Sequence, residues 1–170
     1  MAVKKFPSGQ FGRQRFEFYS APFKAPLRPF AVMVIPWQNN QILVCDIENR
    51  GWCIPGGRVE PLETSIEAAY RETLEEGGAL LGSMRYIGCY KMIERTDKKL
   101  QIRWADAYVA KVEELVALDP QYESKGRKLV ALEDLPQIYY QWNPLVKEVF
   151  HYSKEVLKRL DTMQGLYCSN

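Results

Sequence analysis

Six carboxylates crowd into seventeen residues of this chain: Glu60, Glu63, Glu67, Glu72, Glu75 and Glu76, against only Arg58 and Arg71. On a helix, Glu72, Glu75 and Glu76 fall at i, i+3 and i+4 and share one face. Three carboxylates about 6 Å apart repel by roughly 3 kcal/mol per pair at an effective dielectric of 20. Water screens that cost on an open face; in a cleft, cations must. A solvated acidic helix face is the plain alternative, but a salt-bridged surface helix mixes its signs and this segment does not. Just ahead of it, Gly56-Gly57 supplies a backbone that a ligand can approach closely. Hard oxygen donors so arranged suit Mg²⁺ or Mn²⁺, and Mg²⁺ is commonly shared with substrate phosphates. The chemistry this points to is metal-assisted reaction at a phosphate.

The elements that must position these residues are legible in outline. Thr64-Ser65-Ile66-Glu67 is a capping box that opens a helix. Ile66, Ala69, Tyr70, Thr73 and Leu74 recur at helical spacing, which puts the apolar residues on the side away from the glutamates. Gly77-Gly78 closes the helix. A second helix opens at Asn143-Pro144, carries Leu145, Val149, Val156 and Leu160, and runs to about residue 161. Strands are expected over Phe30–Ile35 and Ile42–Ile47 as a hairpin across Gln38-Asn39-Asn40. A short strand follows over Trp52–Ile54. A second hairpin, Tyr86–Ile93 with Leu100–Val112, turns at Thr96–Lys99, and a last short strand covers Leu129–Leu132. Strands first, a helix between them and a helix last give an α/β fold with a mixed sheet covered by helices.

Composition bounds the rest. A chain of 170 residues with 46% apolar and 26% charged residues makes one domain with its own core. Lysines and arginines number 23 against 21 acids, a net charge of +2, so any electrostatics that matter are local. No run reaches the roughly 18 apolar residues of a membrane span, and Met1–Pro7 does not read as a secretory signal. Cys45, Cys53, Cys89 and Cys168 form no CxxC pair and read as reduced thiols of a cytoplasmic protein. With His151 the one histidine, a His/Cys zinc site and a Ser-His-Asp triad are disfavoured. Three parts are expected: an irregular N-terminal arm over 1–28, the main domain over 29–165 and a tail over 166–170. The arm interleaves aromatics with lysines and arginines. It is expected to pack on the domain or on a second copy, allowing a homodimer, rather than to bind nucleic acid.

Gly57, Glu63 and the run Arg71-Glu72-Thr73-Leu74-Glu75-Glu76-Gly77-Gly78-Ala79 carry a resemblance. Their spacing, Gly-x5-Glu-x7-Arg-Glu-x-x-Glu-Glu-x-Gly, is similar to the Nudix box, with Thr73 and Ala79 replacing usual aliphatic residues. Trp52–Gly57 before the box and Leu132–Pro136 after it also resemble that family. The resemblance implies a Nudix hydrolase: an αβα sandwich that cleaves a nucleoside diphosphate linked to another group by water attack on phosphorus. It implies metal binding by Glu72, Glu75, Glu76 and the backbone carbonyl of Gly56. Arg71 would hold the glutamates and Glu63 would steady the loop before the helix. The general base would be a box glutamate or a loop carboxylate, for which Glu123 is the candidate.

Substrate is less legible. Lys91, Arg95 and Arg103 could reach phosphates, although surface ion pairs suit each better. Tyr139, Tyr140 and Trp142 could wall a base, although aromatics before a helix are more often core. Markers of the NADH, ADP-ribose and dinucleoside polyphosphate subgroups are missing. The expectation is a small nucleotide, first an ordinary or oxidised nucleoside triphosphate, then a nucleoside diphosphate sugar or ADP-ribose. An RNA-end hydrolase and a non-catalytic nucleotide-binding module are the rivals.

Overall fold

A computed structural model describes residues 4–167. In chain order its elements are β1 (Gly9–Phe11), β2 (Gln14–Ser20), β3 (Ala31–Gln38), β4 (Gln41–Ile47), β5 (Gly51–Cys53), β6 (Gly56–Arg58), α1 (Ser65–Gly77), β7 (Ala79–Thr96), β8 (Lys99–Leu115), β9 (Ser124–Ala131) and α2 (Pro144–Tyr167). The strands form one sheet in the order β1-β2-β7-β8-β3-β4-β5, with β6 paired to β3 and β9 to β4. Among the described strands only β3 and β8 pair in parallel, and the other ladders are antiparallel. The sheet is mixed, as expected, and its two faces are covered by α1 and α2 in an α/β sandwich.

Both expected hairpins form, with Gln38 opposite Gln41 and Thr96 opposite Lys99. The larger core lies between the sheet and α2, where Trp37, Ile42, Leu145, Val149 and Phe150 are almost wholly buried. The smaller lies under α1 and uses small residues, Ala68, Ala69, Ala79 and Ala110 among them. Small side chains let the helix sit close to the strands.

Four expectations are corrected. Residues 1–28 are not irregular throughout. Gln14–Ser20 pairs with Ser20 opposite Gly88, and Phe16 and Phe18 are buried in the α2 core. The strand after the box begins at Ala79 rather than Tyr86, because β7 continues past bulges around Leu81 and Tyr86 as one long ribbon with β8. The last strand begins at Ser124 rather than Leu129. Its polar start, Ser124-Lys125-Gly126-Arg127, hides it from a hydrophobic pattern. Finally, α2 runs to Tyr167 rather than to about 161. Asn143 caps it as expected, its Oδ1 accepting from the Val146 N–H at 3.1 Å.

Cys45, Cys53 and Cys89 are free and buried; Cys168 lies outside the described residues, as do residues 1–3 of the arm and 168–170 of the tail. Among the described residues no helix is long and apolar enough to cross a membrane.

Candidate active site

The capping box forms as the sequence requires. Thr64 accepts from the Glu67 N–H at 3.2 Å, and the Glu67 carboxylate accepts from the Thr64 N–H at 2.8 Å. At the other end Gly78 adopts φ 55°, the left-handed conformation that glycine takes most readily. Two ties that sequence reading missed lock α1 onto the sheet. Ser65 Oγ donates to Asp106 on β8 at 2.6 Å. Arg127 on β9 donates to the carbonyls of Gly77 (3.1 Å), Gly78 (2.7 Å) and Val116. A cation on the last carbonyls of a helix also complements its dipole. Neither tie to the helix belongs to a local pattern, since Ser65 and Asp106 stand 41 residues apart and Arg127 stands 49 and 50 from Gly78 and Gly77.

Of the expected apolar side of the helix, Ala69 and Thr73 turn inward and Ile66, Tyr70 and Leu74 do not. Glu72 and Glu76 are buried, 9% and 8% exposed, beside Ala68, Ala69, Thr73 and Gly77. Ile66, Tyr70 and Leu74 face outward, at 51%, 42% and 43% exposed. Apolar periodicity alone would have centred the buried stripe on Ile66, Tyr70 and Leu74; it is centred instead on Ala69, Glu72, Thr73 and Glu76. The glutamates can lie inside because each is met. Arg71 donates to Glu63 at 2.7 and 2.9 Å, to Glu72 at 2.8 Å and to Glu75 at 3.3 Å, with one further bond to the Arg58 carbonyl at 3.0 Å. Glu76 accepts from the Gly56 N–H at 2.9 Å. Glu63 also accepts from the Glu60 N–H at 2.9 Å, and Arg28, another residue the sequence reading missed, donates to the Glu60 and Glu63 carbonyls.

Charge in this cluster is not balanced. Glu63, Glu72 and Glu75 share one guanidinium, and Glu76 is bonded to a backbone N–H rather than to a cation. Burial pushes the Glu76 carboxyl up to about 7, against the pull of the Gly56 N–H, and the charges of Glu72 and Glu123 push the same way. Burial also raises Glu72, while the Arg71 hydrogen bond holds Glu63 below the usual range. Glu123 itself is exposed at the mouth of β9, and Arg50, on the β4–β5 turn, is the nearby cation that acts on Glu76. Arg50 also donates to Cys53 Sγ at 4.0 Å.

The donor set fits a hard divalent cation. It is all oxygen, negative in excess and partly dry. A Cβ on Gly57 would stand 2.3 to 2.6 Å from the Glu72 carboxylate, so only glycine leaves that group its place. Among the described residues no three ligating side chains already converge on one point, since Glu72 and Glu75 turn to Arg71. Replacing Gly57 by alanine is expected to displace the flexible end of Glu72 and leave the fold. Divalent-ion affinity, by calorimetry, should fall about tenfold or more with a thermal midpoint within a few degrees of wild type.

The remaining candidates lie outside this cluster. Lys91 sits 6.0 Å from the Trp104 ring and Arg103 4.3 Å from Phe30, while Arg95 is exposed near the β7–β8 turn. Tyr139 packs edge-on to Phe150 and Trp142, and its hydroxyl oxygen accepts from the Ile54 N–H at 3.3 Å. It is a core residue bracing the strand before Gly56 rather than an open wall for a base.

Residues 27–151 match the model of the NUDIX domain. The chain belongs to the Nudix family. It is 37% identical over 109 residues to YtkD of Bacillus subtilis (strain 168), named provisionally as an 8-oxo-dGTP diphosphatase. That match covers 64% of this chain and 65% of YtkD, a little under two thirds of that relative's length. The Bacillus subtilis pyrophosphohydrolase BsRppH, solved as its E68A mutant, superposes with a TM-score of 0.69 at 29% identity, covering 94% of this chain and 97% of that one. A Nudix hydrolase from Nitrosomonas europaea shares the fold at a TM-score of 0.57 and 20% identity, over 75% and 89% of the two chains. The Nudix box therefore occupies β6, the loop after it, α1 and the first residue of β7.

Proposed function

We propose that this Nudix protein is a divalent-metal-dependent pyrophosphohydrolase that cleaves a diphosphate bond in a nucleotide. The observation that carries the reading is the cluster of four carboxylates behind a glycine turn, Glu63, Glu72 and Glu75 gathered on Arg71 and Glu76 held by the Gly56 N–H. Such a cluster is costly without cations, and the family membership explains why it is kept. Glu72, Glu75 and Glu76, with the Gly56 carbonyl, would hold Mg²⁺, with Mn²⁺ able to substitute. When bound, the metal supplies positive charge to the phosphate oxygens and lowers the pKa of water.

The chain's own residues do the positioning. Arg71 ties Glu63, Glu72 and Glu75 together, and the Gly56 N–H orients Glu76. Glu63 and Arg28 hold the loop over Glu60–Thr64 at the mouth of the site. Glu123 stands outside the donor cluster on a separate loop, free to accept a proton from the attacking water. The substrate class supported by the YtkD likeness is a nucleoside triphosphate, oxidised or not. The BsRppH likeness supports pyrophosphate-bond hydrolysis; a second reading of the substrate, an RNA chain with a phosphorylated end, is favoured by the basic and aromatic residues of the first 28.

The test is product release from canonical and oxidised triphosphates, diphosphate sugars, ADP-ribose and 5′-triphosphorylated RNA. EDTA should abolish turnover and Mg²⁺ should restore it. Glu123→Gln should lower kcat about a hundredfold and leave KM within about threefold, as expected for a proton acceptor. An unchanged kcat would move that role to a box glutamate. Absence of turnover on the whole panel, with nucleotide binding by thermal shift, would make the protein a binding module.

A further inference from the structure

Strand β2 is paired along its whole length with β7, but β1 covers only part of its other edge. The β1 ladder reaches Gln14, Arg15 and Phe16 and stops at Gly9 opposite Phe16. Backbone groups along an antiparallel strand point alternately to one neighbour and to the other. The Ala21 N–H donates to the Ile87 carbonyl at 2.8 Å, which fixes that alternation. Glu17 and Tyr19 turn their backbone groups to β7; Phe18 and Ser20 turn theirs outward. Continued in register, the arm would set Pro7 opposite Phe18, and proline has no N–H to give. The ladder ends there, and Lys4–Ser8 leaves the edge. Phe6 packs edge-on to Phe18 and Tyr152 instead, at 4.8 and 5.6 Å. Beyond the ladders, no hydrogen bond among the described residues uses the Phe18 N–H or carbonyl or the Ser20 N–H.

The departure of the arm opens a cleft of about 980 Å³ between Lys4–Ser8, β2 with the loop after it, and α2. The bare edge over Glu17–Ser20 runs along it, four residues or about 14 Å of strand. Lys4, Lys5, Arg15 and Arg159 line the cleft, against the carboxylates of Glu17 and Glu155. Glu17 is already met, by Arg15 at 3.0 Å and by the Tyr19 hydroxyl at 2.9 Å. Lys5 and Arg159 are exposed and make no ion pair among the described residues. Phe6 and Tyr152 wall the side toward α2, and Tyr19 and Phe23, stacked at 4.9 Å, wall the other.

A bare strand edge recognises another peptide backbone. A polynucleotide has no amides to offer it, and a second copy would bring the same four cations against these. We propose that the cleft binds an extended acidic peptide of a partner protein, added antiparallel to β2 in the place that β1 leaves open. In that pairing, residues opposite Phe18 and Ser20 share their side of the sheet and point toward α2. There Lys4 lies over the Phe6 and Tyr152 rings and Arg159 is exposed, so these positions call for aspartate or glutamate. The residues between them point to the side of Tyr19 and Phe23 and call for apolar side chains. The segment that fits therefore alternates acidic and apolar residues over about five positions. This interaction is separate from the hydrolysis proposed above and does not depend on it.

The test uses the full chain and a fluorescein-labelled hexapeptide of alternating glutamate and valine, read by anisotropy. That peptide should bind, and one of alternating lysine and valine should not. Methylating the glutamate amides removes the N–H groups that meet β2 and should weaken binding at least tenfold. Methylating the valine amides, which face away, should leave it within about threefold. Lys5→Ala with Arg159→Ala should weaken binding at least tenfold in about 50 mM salt, and most of that difference should vanish in about 1 M salt. Both side chains are exposed, and an unchanged thermal midpoint will verify folding. Saturating peptide should slow exchange of the Phe18 and Ser20 amide hydrogens at least tenfold and leave that of Tyr19, already held by β7, unchanged. No binding, equal binding of the lysine peptide, equal or reversed effects of the two methylations, or unprotected Phe18 and Ser20 amides would each overturn the proposal. A dimer of the protein alone with those two amides already protected would overturn it by giving the edge to a second copy. Displacement by a 12-nucleotide RNA as effective as by unlabelled peptide would overturn it by giving the cleft to nucleic acid.

Discussion

Glu76→Gln is expected to abolish most turnover and, with metal removed, to make the protein more stable at pH 8. Both effects come from one fact: a carboxylate has been placed where a carboxylate is unwelcome. Glu76 is 8% exposed, and burial holds its acid form to about pH 7. An unfolded glutamate titrates near 4.3. Between those values the folded chain binds the extra proton, so stability falls as pH rises through about 4.5 to 7 and stays reduced above it. Glutamine keeps an oxygen for the Gly56 N–H and carries no charge. At pH 8 in EDTA the variant should gain about 1 to 3 kcal/mol, and below pH 4.5 it should gain nothing. Thermal unfolding across that pH range measures it. On the proposed role of Glu76 in holding the metal, loss of its charge should lower kcat/KM by about a hundredfold or more, a change of about 2.7 kcal/mol in transition-state stabilisation. A variant with wild-type turnover would mean that the metal is held elsewhere. A variant destabilised at every pH would mean that Glu76 is structural.

Arg71→Ala should injure both fold and activity. The guanidinium is the one group that touches Glu63, Glu72 and Glu75 together, and it is only a quarter exposed. Its removal leaves three carboxylates facing one another with no counter-charge. Breaking a buried ion pair costs 3–5 kcal/mol, and partial exposure here reduces the expected loss to about 2 to 3 kcal/mol. Turnover should fall about a hundredfold because the glutamates lose their common anchor. Arg71→Lys restores charge but cannot span three carboxylates and a carbonyl, since an ammonium lacks the planar fork. It should recover most of the stability and little of the rate. Equal recovery of both would show that Arg71 acts by charge alone. Saturating Mg²⁺ should narrow the stability gap between Arg71→Ala and wild type, because a cation then balances the same glutamates.

The outward face of α1 explains why the helix looked ordinary in sequence and is not. Ile66, Tyr70 and Leu74 supply the periodicity that marks a packed stripe, yet they are exposed while two glutamates are not. Local pattern and tertiary placement disagree at a functional site, where such disagreement is expected. Tyr139 is the opposite case. Its type allowed ligand stacking but more often means core, and its packing against Phe150 places it at the core.

By itself the sequence determined the box with its run of carboxylates, the capping of α1, the two hairpins and the mixed α/β class. Those depend on residue types at short, fixed spacings, which local geometry translates directly. It could not determine which face of α1 turns inward, because that is decided by how closely small residues such as Ala68, Ala69 and Gly77 let the helix approach the sheet. Nor could it find Arg127 at the end of α1, Asp106 under its start, or Arg50 beside Glu76. Those partners come from strands and turns distant in sequence, brought together only when the sheet closes. The cleft at β2 has the same origin. Its cations and rings are scattered along the first 28 residues and on α2, and only β2 pairing along the edge of β7 turns them into one surface.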